Sequence, residues 1–113
     1  MSRPALPLSS ESAILRACLD LLRAHPKVGL AWRCNTGGMS DSYGHHVRFG
    51  FKGQSDLMAV LKPSGRLLAV EVKRKGKRPT LDQNAFLEAV AASGGHGIWI
   101  DDPAKLADYL RRV

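Results

Sequence analysis

Apolar residues recur along the chain at two spacings, one typical of helices and the other typical of strands. From about Ser10 to Ala24 they recur every third or fourth position, which predicts a helix with one apolar face. Ser9 or Ser10 can cap its start, and His25-Pro26 ends it because the residue before a proline avoids helical angles. Residues 1–8 contain two prolines and are expected to form a loose arm.

The middle of the chain alternates between apolar and polar residues, as strands do. Strands are predicted at 28–35 and around 47–51, and two more at 57–61 and 66–73. The glycine- and serine-rich stretch 36–44 is expected to be a loop. It lacks the GxxxxGK[ST] pattern of a phosphate-binding P-loop, so nucleotide binding is not predicted.

A helix–strand–helix unit is predicted to complete the fold. Thr80 can cap a helix that runs to Ser93 and stops at Gly94-Gly95. Its apolar side is expected to be formed by Leu81, Phe86, Leu87, Ala89, Val90 and Ala91. Residues 96–100 then form a short buried strand, and Asp101-Asp102-Pro103 begins the last helix. The sequence therefore predicts a single α/β domain over 1–113, with a mixed β-sheet flanked by helices in the order α-β-β-β-α-β-α.

Composition favours a folded protein with a polyanionic partner. Of the 113 residues 44% are hydrophobic, and 17 Lys and Arg against 10 Asp and Glu give a net charge of +7. Nucleic acid is the commonest polyanion that proteins bind. Cys18 and Cys34 have no metal-finger spacing and are expected to be buried, reduced thiols. With no apolar run near ~20 residues and no signal peptide, a soluble cytoplasmic protein is expected.

Two acids and a lysine interrupt the apolar strands between 56 and 73. Glu71 and Lys73 lie two apart, so their side chains project from one face of a strand. If Pro63 and Ser64 form a two-residue loop, Asp56 faces Glu71 directly. A three-residue loop with a bulge at Gly65 would shift the register by one and turn Asp56 to the other face. The Pro-Ser-Gly sequence fits the bulged loop somewhat better, in which case the site needs a compensating irregularity or Asp56 must lie just before regular pairing begins.

Each candidate site residue also has an ordinary structural explanation. Glu71 and Lys73 alone suit an amphipathic strand with a surface pair, and Glu11 suits the first turn of its helix through the helix dipole. Gln83 lies three residues after Thr80, the spacing of a capping box.

Basic residues surround these acids. Five cations fall within the six residues from Lys73 to Arg78, and such a loop can bind phosphates without reading bases. The candidate DNA contacts are Arg33, Arg48, Lys52, Arg74, Lys75, Lys77 and Arg78.

This ordered set of residues resembles the PD-(D/E)XK nuclease superfamily and, within it, the VRR-NUC family of small nuclease domains. The likeness covers nearly the whole chain. It includes the helix with Glu11, the Gly53-Gln54-Ser55-Asp56 segment, Glu71-Val72-Lys73 and Gln83. Ser55 stands where the superfamily's name expects proline, which has no chemical role.

The resemblance implies a restriction-endonuclease-like core and a metal-dependent mechanism. Asp56, Glu71, the backbone carbonyl of Val72 and Glu11 would hold Mg²⁺ or Mn²⁺. Lys73 would act on the attacking water and the phosphate, and Gln83 would support the site. The resemblance also implies a stand-alone phage or bacterial endonuclease that acts on branched DNA, such as a four-way junction or flap, as a homodimer.

Two other functions remain open from the sequence. A non-catalytic DNA-binding module would use the same basic loop, although two acids on a phosphate-binding face repel DNA unless a metal lies between them. A restriction-like nuclease that reads sequence is ranked lower, because the chain is short for a separate base-reading domain.

Overall fold

The protein folds as an α/β domain with a four-stranded mixed sheet flanked by helices. The structure, a computed structural model, describes residues 10–34, 37–40, 42–49 and 52–113. Its elements in chain order are α1 (Glu11–Ala24), β1 (Val28–Arg33), β2 (Gly37–Ser40), β3 (His46–Phe49), β4 (Leu57–Leu61), β5 (Leu67–Val72), α2 (Leu81–Ala92), β6 (His96–Ile100) and α3 (Pro103–Arg112).

The main sheet has the strand order β1-β4-β5-β6. Only β5 and β6 are parallel, and α2 provides the crossover between them. Helices α1 and α3 pack on one face and α2 packs on the other, so the sheet is the middle of three layers. For the main sheet the element order is the predicted α-β-β-β-α-β-α, which is compatible with a restriction-endonuclease-like core.

The larger core lies between the sheet and the α1/α3 layer. Helix α1 begins at Ser10, whose hydroxyl accepts the Ala13 N–H, and it ends before His25-Pro26, as predicted. Its apolar face is fully or almost fully buried against the strands. Cys18 belongs to this core as a free thiol, and burial raises its pKa to about 12. Cys34 is also free but only half-buried.

Three local predictions were wrong. Part of the expected glycine-rich loop is strand β2, which pairs with β3 in a separate two-stranded sheet, while Thr36 and Asp41 lie outside the described residues. Backbone pairing builds this ribbon without the side-chain alternation that the prediction required. Strand β6 is an edge strand in which only Ile100 is buried. Leu81, expected on the apolar side of α2, is 88% exposed because it opens the helix.

The other face of the sheet is only partly covered. Helix α2 packs on β5 and β6 through Leu87, which lies between Met58 and Ala69. Leu30 and Trp32, on the edge strand β1, stay exposed at 56% and 37%.

The hairpin between β4 and β5 settles the register. Leu57 pairs with Val70 and Val60 with Leu67. The Leu61 N–H donates to Arg66 O at 2.8 Å, so four residues, Lys62–Gly65, form the loop. The favoured three-residue loop with a Gly65 bulge is therefore wrong. The observed register is the one that the two-residue loop predicted, with Asp56 directly opposite Glu71. A longer loop keeps that register because it adds a residue on each side of the turn.

None of the helices within the described ranges is long and apolar enough to cross a membrane.

Candidate metal centre and nucleic-acid interface

Asp56 and Glu71 meet on the α2 side of the sheet. Asp56 lies one residue before β4, and the β4–β5 register places it opposite Glu71. Its carboxylate oxygen Oδ2 accepts the backbone N–H of Val72 at 2.9 Å, and its own carbonyl accepts the Cys34 N–H at 2.8 Å. These two bonds tie Asp56 to β5 on one side and to the end of β1 on the other, which fixes the carboxylate at the end of the sheet.

Glu71 is a buried carboxyl with an incomplete set of partners. The residue is 2% exposed, and its Oε2 atom has no hydrogen-bond partner among the described residues. Burial raises its pKa to about 9, and the adjacent Asp56 carboxyl adds to the rise by hydrogen bonding and repulsion. Lys73 counteracts this shift, whereas Glu11 reinforces it. At neutral pH the pair formed by Asp56 and Glu71 therefore retains a proton unless a cation offsets the repulsion between the two carboxyl groups.

Gln83 links Glu71 to the start of α2. Its Oε1 accepts the Thr80 N–H at 2.9 Å, and its backbone N–H donates to Thr80 Oγ1 at 3.2 Å, which completes the predicted capping box. Its Nε2 donates to Glu71 Oε1 at 3.2 Å. The cap fixes which end of the amide accepts, so the donor end must point at the carboxyl. The capping and site roles of Gln83 are thus compatible.

The close approach of α2 to this site depends on Gly53. Gly53 has φ 77° and packs directly against the backbone of Asp82 and Gln83. A β-carbon at this position would collide with that backbone. The segment leading to Asp56 and the first turn of α2 can therefore lie together only when residue 53 has no side chain. A glycine three residues before an acid was the available sequence signal.

Lys73 extends from the end of β5 beside Glu71. Its Nζ lies 3.9 Å from Glu71 Oε1, and its side chain is 13% exposed. Its backbone N–H donates to Ile100 O at 2.9 Å, so the β5–β6 pairing continues through this residue and holds it in place. At 3.9 Å the ammonium is near enough to Glu71 for a charge interaction but too far away for a hydrogen bond. Its three N–H donors are therefore suited to a phosphate.

Glu11 approaches the same place from the other layer. It is the first residue of α1 and lies in a groove with Lys73, Arg74, Lys77 and Arg78. Its charge contributes to the raised pKa of Glu71. The groove therefore places a row of exposed cations around a single acid, and Lys73 in its lining lies beside Glu71.

The remaining predicted DNA contacts do not all join this groove. Arg33 is exposed at the end of β1 and lies in a neighbouring groove against α1. Lys52 forms an exposed ion pair with Asp82 at 3.4 Å. The charge of Lys75 helps to lower the pKa of Asp101, which follows β6. Arg48 lies on β3 opposite Gly38, and its side chain is outside the described part. The groove thus unites three of the seven, Arg74, Lys77 and Arg78.

Ser55, directly before Asp56, fixes the backbone at the start of β4 through its side chain. The residue is fully buried, and its hydroxyl donates to Leu57 O at 3.0 Å. This side-chain bond fixes the backbone just where it enters β4, next to the candidate ligand.

The donor set fits a hard divalent cation bound by few protein ligands. No group of three or more His, Cys, Asp or Glu residues in the described ranges is arranged to hold a metal. Mg²⁺, however, is typically bound through one or two carboxylates together with waters and substrate phosphate. Asp56 and Glu71 supply two carboxylates, and the unpartnered Oε2 of Glu71 is an oxygen that a cation would satisfy. The fit is therefore to a two-carboxylate site, with Glu11 nearby rather than in the same cluster.

The chain matches no profile of a known protein family, and a search of curated proteins finds no significant match.

Proposed function

We propose that this protein is a divalent-metal-dependent endonuclease of the PD-(D/E)XK type, similar to the VRR-NUC nucleases, that hydrolyses phosphodiester bonds in branched DNA. The observation that carries the proposal is the opposition of Asp56 and Glu71 on one sheet face, with Lys73 beside them. Burying two carboxylates together costs free energy, and a cation between them would remove that cost. A site that is unfavourable without a metal is typical of function rather than of packing.

Each residue has a role that follows from its position. Asp56, Glu71 and the Val72 carbonyl would hold Mg²⁺ or Mn²⁺, which when bound supplies Lewis-acid activation of water and phosphate. Asp56 is oriented by the Val72 N–H, and Glu71 by Gln83 Nε2. Lys73 would stabilise the charge that develops on the phosphate and orient the attacking water. Glu11 would adjust the charge of the site from α1.

The exposed cations would bind the DNA backbone next to this site. Arg74, Lys77 and Arg78 lie along the groove that begins at Glu11, and they offer phosphate contacts without base contacts. This favours recognition of DNA shape, such as a four-way junction or flap, over recognition of sequence. A homodimer would suit such a substrate, because a two-fold pair of sites can cut two strands symmetrically.

A non-catalytic DNA-binding module is the second candidate. It is favoured by the lack of a three-ligand cluster within the described ranges. In that case the basic groove would bind DNA, and no metal would produce cleavage. The buried carboxyl at Glu71 argues against it, since a simple binding surface gains nothing from an acid with a raised pKa.

The deciding experiment is a cleavage panel. Duplex, flap, splayed-arm and four-way DNA are incubated with protein and Mg²⁺ or Mn²⁺, with and without chelator. We expect branched DNA to be cut only with metal, and Asp56→Asn and Glu71→Gln to reduce the rate by about 10³-fold or more, as loss of a principal transition-state contact does.

Matched controls separate this result from a general effect of charge. Asp20→Asn on α1 and Glu88→Gln on α2 remove the same charges from exposed positions and should cut like the wild type. Cleavage that survives chelation, or that survives both site substitutions, would exclude the proposed function. Tight binding without any cleavage would favour the binding module.

A further inference from the structure

A second basic surface lies at the end of the sheet opposite the candidate metal centre. Strand β4 leads away from Asp56 and ends at Leu61, and β5 returns from Leu67 past Glu71 to Val72, so their loop lies five residues away from the two acids. At about 3.3 Å per residue the separation is roughly 16 Å. The first residues of β6 and the last turn of α3 meet the loop there, around a groove.

The cations of this groove are not all equivalent. The Lys27 ammonium donates to the carbonyls of Leu110 and Val113, both at 2.7 Å, so it serves as a cap for α3. Arg112 forms an ion pair with Asp108 at 2.9 Å, and Arg111 pairs with the same carboxylate. Lys62 and Arg66 are exposed, and their side chains make no hydrogen bond or ion pair with the described residues.

The groove is positive without compensation from its own walls. The described residues that line it include no aspartate or glutamate. Its charged heads are Lys62 and Arg66 on either side of the loop and Arg112 on α3. We name these three residues the turn-end surface. Lys62 and Arg66 have no local counter-ion, whereas Arg112 is paired with Asp108 outside the groove lining. Exposed cations attract a polyanion, and those arranged along an open groove suit a phosphate backbone better than a single small anion.

We propose that the turn-end surface binds the phosphate backbone of a second segment of the same branched DNA whose first segment lies at Asp56 and Glu71. This inference rests on the proposed nuclease function and adds to it a means of recognising shape. A single arm at the metal centre contacts Arg74, Lys77 and Arg78, whereas the turn-end surface faces the other end of the sheet. Nucleic acid that extends in two directions from the site can engage both at once.

The test measures binding in chelator, so that no DNA is cut. Fluorescently labelled four-way DNA and a 10-base-pair linear duplex are titrated with wild type and with Lys62→Ala/Arg66→Ala at several salt concentrations. For the junction we expect affinity to fall about tenfold or more near 0.1 M salt, and the slope of log affinity against log salt to decrease by about 2. For the short duplex we expect less than about a twofold change in affinity.

The matched control is Arg23→Ala/Lys105→Ala, which removes two exposed cations from outside this surface. It should leave the junction slope unchanged, and circular dichroism of both variants checks that they fold. The inference is overturned if the test variant behaves like this control, or if duplex and junction lose the same affinity. Absence of metal-dependent cleavage by the wild type would instead overturn the proposed function, whereas intact cleavage with unchanged junction binding would overturn this inference alone.

Discussion

The amide of Gln83 donates to the carboxyl of Glu71 at 3.2 Å while its oxygen caps the same helix that carries it. One side chain thus connects the stability of α2 with the orientation of the buried acid. The capping box is satisfied only when the oxygen faces Thr80, and this leaves the nitrogen for Glu71. The helix start therefore positions a site residue.

Gln83→Ala should lower the cleavage rate more than Thr80→Ala does. Each substitution removes half of the capping box and should cost about 1 kcal/mol of unfolding free energy. Only Gln83→Ala also removes the donor to Glu71, and we expect a further rate loss of about tenfold or more, as for a group that orients a metal ligand. Urea unfolding and single-turnover cleavage with saturating protein measure the two effects separately.

Gln83→Glu is the informative companion variant. Its carboxylate can still accept the Thr80 N–H, as in many capping boxes, but it cannot donate to Glu71. It should keep the stability of α2 and lose activity. Equal rates for this variant and the wild type would mean that the contact with Glu71 has no part in the reaction.

The buried carboxyl of Glu71 should make the metal-free protein less stable as pH rises. Its pKa is about 9 in the folded protein and 4.5 ordinarily, so between these values the folded state holds a proton that the unfolded state has lost. The contribution of this group to stability is therefore fully present below about pH 4.5 and is lost as pH rises to about 9. In chelator, Glu71→Gln should be the more stable protein at pH 8 and about equal to wild type at pH 4.

Thermal unfolding across this pH range checks the prediction, with Glu88→Gln as the control for an exposed acid on α2. Addition of Mn²⁺ should stabilise the wild type at pH 8 and have a much smaller effect on Glu71→Gln. A wild type whose stability follows that of Glu71→Gln at all pH values would contradict the raised pKa.

Lys73 and Lys75 lie two residues apart, and their substitutions should affect different steps, the cleavage rate for Lys73 and DNA affinity for Lys75. Lys73 is mostly buried beside Glu71, whereas Lys75 is exposed and its charge helps to lower the pKa of Asp101. Lys73→Met should reduce cleavage by about 10²-fold or more with little loss of DNA affinity, because its charge acts at the reacting phosphate. Lys75→Ala should reduce affinity slightly and leave the single-turnover rate of bound DNA unchanged. The opposite pattern would assign the chemistry to the exposed loop.

The elements of the main sheet were predictable because they depend on local pattern. The face shared by Glu71 and Lys73 follows from strand geometry, and the caps at Ser10 and Thr80 follow from side-chain chemistry. The position of Asp56 was not predictable, because it depends on how many residues the hairpin loop contains. Pro63-Ser64-Gly65 suits more than one loop, and only the pairing of β4 with β5 decided between them.

Long-range contacts account for the rest. A glycine three residues before Asp56 marks the position of Gly53, but its contact with the start of α2 does not follow from local pattern, since the two are brought together by the fold. Likewise Lys75 and Arg78 are close in sequence, but the charge of Lys75 influences Asp101 whereas Arg78 lines the groove with Glu11. A run of cations fixes the net charge of a loop but not the direction of each side chain.

Gly53→Ala should be more destabilising than Gly65→Ala, although both glycines have nearly the same backbone angle. Their φ values are 77° and 75°, so each alanine incurs a similar conformational cost of about 1 kcal/mol. At Gly65 nothing lies near the new methyl group, whereas at Gly53 it meets the backbone of Asp82 and Gln83. Because backbone cannot move aside without shifting the first turn of α2, we expect a further loss of about 1–3 kcal/mol and a drop in cleavage rate. Urea unfolding of the two variants measures the difference, and equal losses would mean that α2 adjusts to the methyl group without moving Gln83 away from Glu71.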